Sequence, residues 1–344
     1  MRELRGLATG IGSLPHKDAD EAIDLIFRYL PEIPFWPQLP KRDHRESMVA
    51  QYGENLPGMR FIDKALVFDG SEKEKELEVF YEHIIAGDAD YFKMSPGFAA
   101  GLHRLYERLE KEDLSKIKYI KCHITGPFTF AASLKDENGV SLLYDPILLQ
   151  AIIKGLGMKA LWQINLFRKF GKPIIMFIDE PYLSCFGSAY AAISREDVVG
   201  GLTEVVETFK SEDVLVGAHC CGNTDWSMFT DVKGLEIINF DAFDFQDKFV
   251  LYAADLNKFL KRDGAICWGI VPTQSGTGYQ TPAQLAQRVE DGIETLVKKA
   301  LDKNLLSSNL LISPACGLGS LETRAADNIL QLLSQIALIF RKNP

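Results

Sequence analysis

Only six cysteines and six histidines occur among the 344 residues, and the cysteines, at 122, 185, 220, 221, 267 and 316, are too scattered for a disulfide framework. They read as thiols or metal ligands of a reducing compartment. Clustered positive charge is also missing. The formal net charge is −9, and Lys41-Arg42 and Lys298-Lys299 stand as isolated pairs. Phosphate binding needs grouped Lys and Arg, so a nucleic-acid partner is excluded. No apolar run approaches the length of a membrane span, and Met1-Arg2-Glu3-Leu4-Arg5 lacks the apolar core of a signal peptide. A soluble, cytoplasmic protein with no membrane partner is expected. Neither a P-loop, an internal repeat nor a low-complexity tract is present, and Gly217 to Gly222 does not have the spacing of a dinucleotide fingerprint. The hydrophobic content of 47% suffices for one large core or two modest ones.

Apolar, β-branched runs that end in polar or glycine-rich turns recur along the chain, starting near residues 6, 34, 119, 173, 214, 235, 265 and 310. The clearest is Pro173 to Pro181, apolar until it ends in Asp179-Glu180-Pro181. The run at 34 is interrupted by prolines, which keep it irregular. Helical patterns fill most of the connections, including long ones over about 146–170, 281–300 and 321–339. Eight strands with crossover helices predict an α/β fold, a single (β/α)8 TIM barrel over residues 1–344, with its chemistry at the carboxyl ends of the strands. Residues 41–118 form a long excursion after the second strand, of a length that suits a lid or a partner surface.

The densest chemistry lies at one such strand end, Val214-Leu215-Val216-Gly217-Ala218-His219-Cys220-Cys221. Side chains on a strand alternate faces, so His219 and Cys221 share one side and Cys220 takes the other. An imidazole and a thiolate aimed at one point suit zinc, given a further ligand, and Cys316 in Pro314-Ala315-Cys316-Gly317 is at another strand end. Any one of these alone reads as an ordinary core residue. Ligands nearly a hundred residues apart suit a catalytic site with an open position rather than a local structural knuckle. Asp241, with Asp244 as the weaker choice, is the candidate for an additional ligand. Zinc held by two thiolates favours activation of an incoming thiol, whose thiolate is the nucleophile.

Gly12-Ser13-Leu14-Pro15, Ile178-Asp179-Glu180-Pro181, His219-x-Cys221 and Cys316-Gly317-Leu318 together resemble the catalytic barrel of cobalamin-independent methionine synthase. The superfamily also holds uroporphyrinogen decarboxylase and corrinoid-dependent thiol methyltransferases. The resemblance covers nearly the whole chain but only the C-terminal half of the full-length synthase. It implies that His219, Cys221 and Cys316 are zinc ligands, with Asp241 where the family has a glutamate ligand. It also implies that Asp179 is the catalytic carboxylate that orients the substrate's amino group, and that Ile11 and Ser13 contact homocysteine. Glu180 joins the substrate-binding set, although either carboxylate could instead cap backbone amides at the strand end.

Two departures accompany the resemblance. The loop after Cys267 to Thr273 lacks the histidine that the synthases place there as proton donor. Around Pro40 to Arg45 basic residues stand where the family has a substrate-binding glutamate, leaving His44 or Gln38 for a related role. The implied function is a zinc-dependent transfer of a methyl group to a small thiol, homocysteine first. The donor would be a methylcorrinoid on a partner protein or another non-folate compound. The alternatives are a metal-free decarboxylase-like lyase and a zinc barrel that binds a thiol without turnover.

Overall fold

The computed structural model describes residues 4–188, 192–274 and 280–342. Its strands, in chain order, are β1 (Leu7–Ala8), β2 (Met59–Ile62), β3 (Ala65–Phe68), β4 (Ile120–Thr125), β5 (Ile174–Asp179), β6 (Val214–Cys220), β7 (Ile237–Asp241), β8 (Ala265–Val271) and β9 (Leu310–Pro314). Seven of them form one sheet in the order β1-β9-β8-β7-β6-β5-β4, with every pairing parallel. Parallel neighbours need crossover connections, so helices cover the outer face and the strands are buried on both sides. That burial accounts for continuous apolar runs such as Ile174 to Ile178, all fully enclosed.

The helices are α1 (Ala19–Tyr29), α2 (Lys73–Ala86), α3 (Ala100–Leu109), α4 (Pro127–Ala132), α5 (Pro146–Arg168), α6 (Arg195–Phe209), α7 (Trp226–Asp231), α8 (Ala242–Phe249), α9 (Ala253–Lys261), α10 (Pro282–Lys298), α11 (Lys303–Ser308) and α12 (Thr323–Lys342). Their starts follow the capping chemistry of the sequence. Asp18 accepts from the Asp20 amide, Asp145 precedes Pro146, and Ser194 and Thr281 form capping boxes with Asp197 and Gln284.

The sheet curls. Residues 34–38 touch both of its edges: Phe35 bridges Lys121 on β4, and Gln38 bridges Ser13 in the loop after β1. The Lys121 amide donates to the Pro34 carbonyl, the Gln38 amide to Gly12 and the Leu14 amide to Gln38. The expected strand at 34 is therefore a pair of isolated bridges rather than a ladder, because Pro34 and Pro37 bring no amide donor. The strand expected from residue 6 is only two residues long before the chain turns toward Gly10 and Gly12.

The concave face has two levels. Leu7, Ile33, Ile175, Phe177, Leu215, Ile237, Cys267 and Leu311 fill an apolar floor. Gly217 makes room there, since a Cβ on it would lie 2.2 Å from the Phe177 ring. Above the floor, toward the carboxyl ends of the strands, the inward positions turn polar: Lys121, His123 and Thr125 on β4, Asp179 on β5, His219 on β6, Asn239 on β7 and Ser313 on β9, all buried.

The excursion holds a further pair of strands, and one further expectation is corrected. Residues 59–62 pair with 65–68 as an antiparallel hairpin through Asp63 (φ 48°) and Lys64 (φ 69°). Asp-Lys lacks the Asn-Gly pattern that usually marks such a turn. A run of membrane-spanning length does exist, the 23-residue α5, but 72% of its apolar window is buried within the protein, which makes it a core helix.

Candidate metal centre and the cavity around it

Strand β6 carries Leu215, Gly217 and His219 toward the concave face, and Cys221 follows one step beyond its end. Cys220 points the other way into the core against the helices and is fully buried. The loop after β9 brings Cys316 back to the same place. One ligand atom each from His219, Cys221 and Cys316 lie within 4.8 Å of one another.

The histidine is held in one tautomer. Asn239 on β7 donates through Nδ2 to the Cys267 carbonyl (2.9 Å) and to Ser313 Oγ (2.8 Å), so its Oδ1 is left to accept from His219 Nδ1. With the proton on Nδ1, Nε2 presents a lone pair, and that atom is buried without a hydrogen-bond partner. An orphaned imidazole nitrogen beside two thiols is the arrangement a zinc ion completes. Between themselves the thiols share a proton unequally. A hydrogen bond in which Cys221 donates holds the Cys316 thiol below its usual range, while the same bond and burial push Cys221 up.

Asp241 ends β7 next to the cluster but is not one of its three donors. Its Oδ1 accepts from the amides of Phe243 and Asp244 at 2.9 Å each, capping α8. Burial raises this carboxyl to about 6, against the hydrogen bond from Asp244 and with the Cys316 charge adding to the rise. Asp244 faces away and accepts from Gln274 Nε2.

The two carboxylates that end β5 separate by role. Glu180 is fully buried and caps α4, accepting from the Phe128 amide (2.9 Å), the Thr129 amide (2.8 Å) and Thr129 Oγ1 (2.6 Å). Asp179 lines the cavity, and its Oδ1 has no partner. Burial lifts Asp179 to about 6, opposed by the nearby Lys121 ammonium and His219.

The cavity that these residues open into has a volume of about 340 Å³. Ile11 and Ser13 lie on its wall, though both already have internal partners. The Ile11 carbonyl accepts from the buried Lys121 ammonium, and Ser13 Oγ accepts from the Gly319 amide at 3.1 Å. Gln38 also lines the cavity, whereas the exposed His44 does not. Pro40, Ser47 and Met48 show that the start of the 41–118 excursion and the residue before it contribute to the same wall. Part of the loop that lacks the family's histidine, 275–279, lies outside the described residues.

Sequence reasoning missed three residues: Asn239, Lys121 and His123. The signal for the last two is the alternation Lys121-x-His123-x-Thr125, which puts three polar side chains on one face of a strand that is otherwise apolar. Nothing in the sequence indicates that Asn239 lies behind His219, because that depends on the β6–β7 register, in which the two residues face each other.

No family model matches the chain. A curated relative, a methionine synthase of Methanocaldococcus jannaschii, is 30% identical over 232 residues, which is 66% of this chain and 67% of the relative. Among solved structures, a B12-independent methionine synthase from Shewanella sp. W3-18-1 in complex with selenomethionine is similar at a TM-score of 0.48 and 19% identity. That similarity covers 70% of this chain and 66% of the other, so the chain spans slightly less than two thirds of that protein's length.

Proposed function

The chain belongs to the methionine synthase family, and from that premise we propose that it is a zinc-dependent methyltransferase acting on a small thiol, homocysteine first among them. The observation that carries this reading is the convergence of His219, Cys221 and Cys316, with His219 Nδ1 facing the Asn239 oxygen and Nε2 buried without a hydrogen-bond partner. A zinc ion in this donor set would hold the substrate's sulfur as thiolate at neutral pH. Asp241, through the oxygen not used to cap α8, is the proposed fourth ligand, in keeping with its electrostatic contact with Cys316.

In this reading the protein's own groups orient the substrate. Asp179, with an oxygen free in the cavity, takes the substrate's ammonium. Ile11 and Ser13 contribute wall and backbone contacts, and Glu180 supports the site by capping α4 beneath it. The thiolate sulfur then attacks the activated methyl carbon in line. A sulfur–carbon bond forms as the methyl's bond to its donor breaks, and the donor leaves with the electron pair. Methyl donors of folate and corrinoid type are both to be tested, since no feature among the described residues favours a corrinoid-bearing partner. The lyase alternative is disfavoured because no lysine or arginine lines the cavity among the described residues, whereas decarboxylation of a polycarboxylate calls for such cations.

We read the fold as a single (β/α)8 domain over 1–344 in which residues 34–38 serve as the eighth stave, on the strength of their bridges to both sheet edges. The excursion over 41–118 belongs to that domain as part of the cavity wall.

The test is metal content followed by turnover. Protein purified without chelator is expected to hold about one zinc per chain, given the three-donor set. It is then expected to methylate homocysteine from at least one donor class. Cys316→Ala and Cys221→Ser should each lose the metal while Cys220→Ser keeps it. A zinc-free protein after reconstitution under reducing conditions would sink the reading. Zinc and thiol binding without turnover on either donor would instead identify a non-catalytic thiol-binding barrel.

A further inference from the structure

His123 stands apart from the groups used so far. It is 2% exposed and lines the same cavity as the cysteines and Asp179, yet neither ring nitrogen has a hydrogen-bond partner. A buried polar group left unpaired is costly, so one that the fold holds rigidly calls for an explanation.

The ring is held firmly. It stacks on Trp36 with centroids 3.9 Å apart and planes within 17°. Gly12 confines it on another side, where a Cβ would come within 2.8 Å of Cε1 and 2.9 Å of Nε2. Two donors grip its backbone carbonyl: Tyr52 at 3.0 Å, and Gln163 at 3.1 Å, whose own carbonyl oxygen accepts from Trp36 Nε1 at 2.9 Å. Trp36, Tyr52, Gln163 and the His123 carbonyl are thus all satisfied, whereas the imidazole nitrogens are not. Burial holds the ring well below its usual pKa, with Lys121 lowering it further, so one nitrogen carries a hydrogen and the other a lone pair.

We infer that His123 is the substrate-binding donor for the carboxylate of an amino-acid thiol, and thereby the residue that selects amino acids over simple amine thiols. The inference rests on the proposed function and deepens it. Three parts of such a substrate then have three separate receptors: sulfur at His219, Cys221 and Cys316, ammonium at Asp179, and carboxylate at the His123 N–H. With no lysine or arginine on the cavity wall among the described residues, the carboxylate is read by neutral donors. Of these, His123 is the one whose nitrogens are fully buried and uncommitted.

The experiment is calorimetric binding to the zinc-loaded chain of homocysteine and of 3-aminopropane-1-thiol, the same molecule without its carboxylate. His123→Leu is expected to weaken homocysteine by roughly 10- to 100-fold, the range for losing a hydrogen bond to a charged acceptor, and to leave the aminothiol nearly unchanged. His123→Gln, which keeps a donor, should recover part of the loss, with zinc content equal in all three proteins. Should His123→Leu fail to fold, the ring nitrogen resonances of the wild type serve instead: they shift with homocysteine and not with the aminothiol. An equal loss for both thiols, or none for either, overturns the role of His123 while leaving the methyltransferase reading intact. A wild-type protein that binds zinc but no homocysteine overturns both.

Discussion

At the residue scale, the geometry of the His219, Cys221 and Cys316 cluster depends on side chains that stand behind it. Asn239 fixes the tautomer of His219 because both of its N–H donors are engaged elsewhere, which turns its oxygen toward Nδ1. Replacing it with leucine frees the ring to rotate and to carry its proton on either nitrogen. Asn239→Leu is therefore expected to lower zinc affinity by about 10- to 100-fold, the usual effect of losing such support, as read by competition with a chromophoric chelator. Unchanged affinity would mean that the loop positions of Cys221 and Cys316 dominate. Gly12 has a similar indirect role. Gly12→Ala puts a methyl group within 2.8 Å of the His123 ring and must displace it. Homocysteine affinity should fall while bound zinc stays constant, and a parallel loss of zinc would show instead that the whole loop had moved.

At the element scale, α5 is longer and more buried than a surface helix, and its polar residues are placed with corresponding care. Lys159 on this helix is fully buried, with Nζ donating to the Glu54 carbonyl at 2.6 Å, which ties the excursion to the helix layer. Burial pulls its pKa down to about 8, with Glu54 opposing. The sign of the linkage follows. Below pH 8 the lysine is charged in both folded and unfolded states, and the cost of burying that charge is fully present. Between about pH 8 and 10.4 the unfolded chain binds more protons, so this residue's contribution makes stability rise with pH. Comparing wild type with Lys159→Met by urea unfolding at pH 7.5 and 9.5, the wild type should gain on the order of 1–3 kcal/mol relative to the variant. A difference that does not change with pH would place the ammonium in contact with water. Helix α4 shows how an element can engage a strand-end carboxylate. Both carboxylate oxygens of Glu180 accept from its first amides, and a Cβ on Gly126 would come within 2.2 Å of that carboxyl group.

At the scale of the whole molecule, the two ends of the chain form one rim. Ser13, in the loop after the first strand, accepts from Gly319 through its hydroxyl and from Leu318 through its carbonyl, across 306 positions of sequence in the first case. This contact holds the loop that carries Cys316. Ser13→Ala is expected to cost about 1 kcal/mol of stability, as for one hydrogen bond, and to weaken zinc binding by several-fold. Thermal unfolding with and without zinc separates the two effects. A change in the zinc-free protein alone would confine Ser13 to a structural role.

Much of this molecule was legible from local pattern. Apolar β-branched runs bounded by turns mark buried parallel strands, because a strand covered on both faces has no use for polar residues. Strand alternation places His219 and Cys221 together and Cys220 apart, because the two-residue period is a property of the backbone itself. What the sequence could not determine depends on neighbours distant along the chain. The pairing of His219 with Asn239 is a matter of register between strands. The irregular course of residues 34–38 is settled by which edges they reach, and the different hydrogen bonding of Asp179 and Glu180 by the helix that starts beside them. His123 reads in the sequence as one more strand residue. Only the tertiary structure encloses it on the same cavity as the cysteines and gives Trp36, Tyr52 and Gln163 around it hydrogen-bond partners while leaving its ring nitrogens without one. Hydrogen-bond satisfaction is a property of the assembled neighbourhood, and no local pattern encodes it.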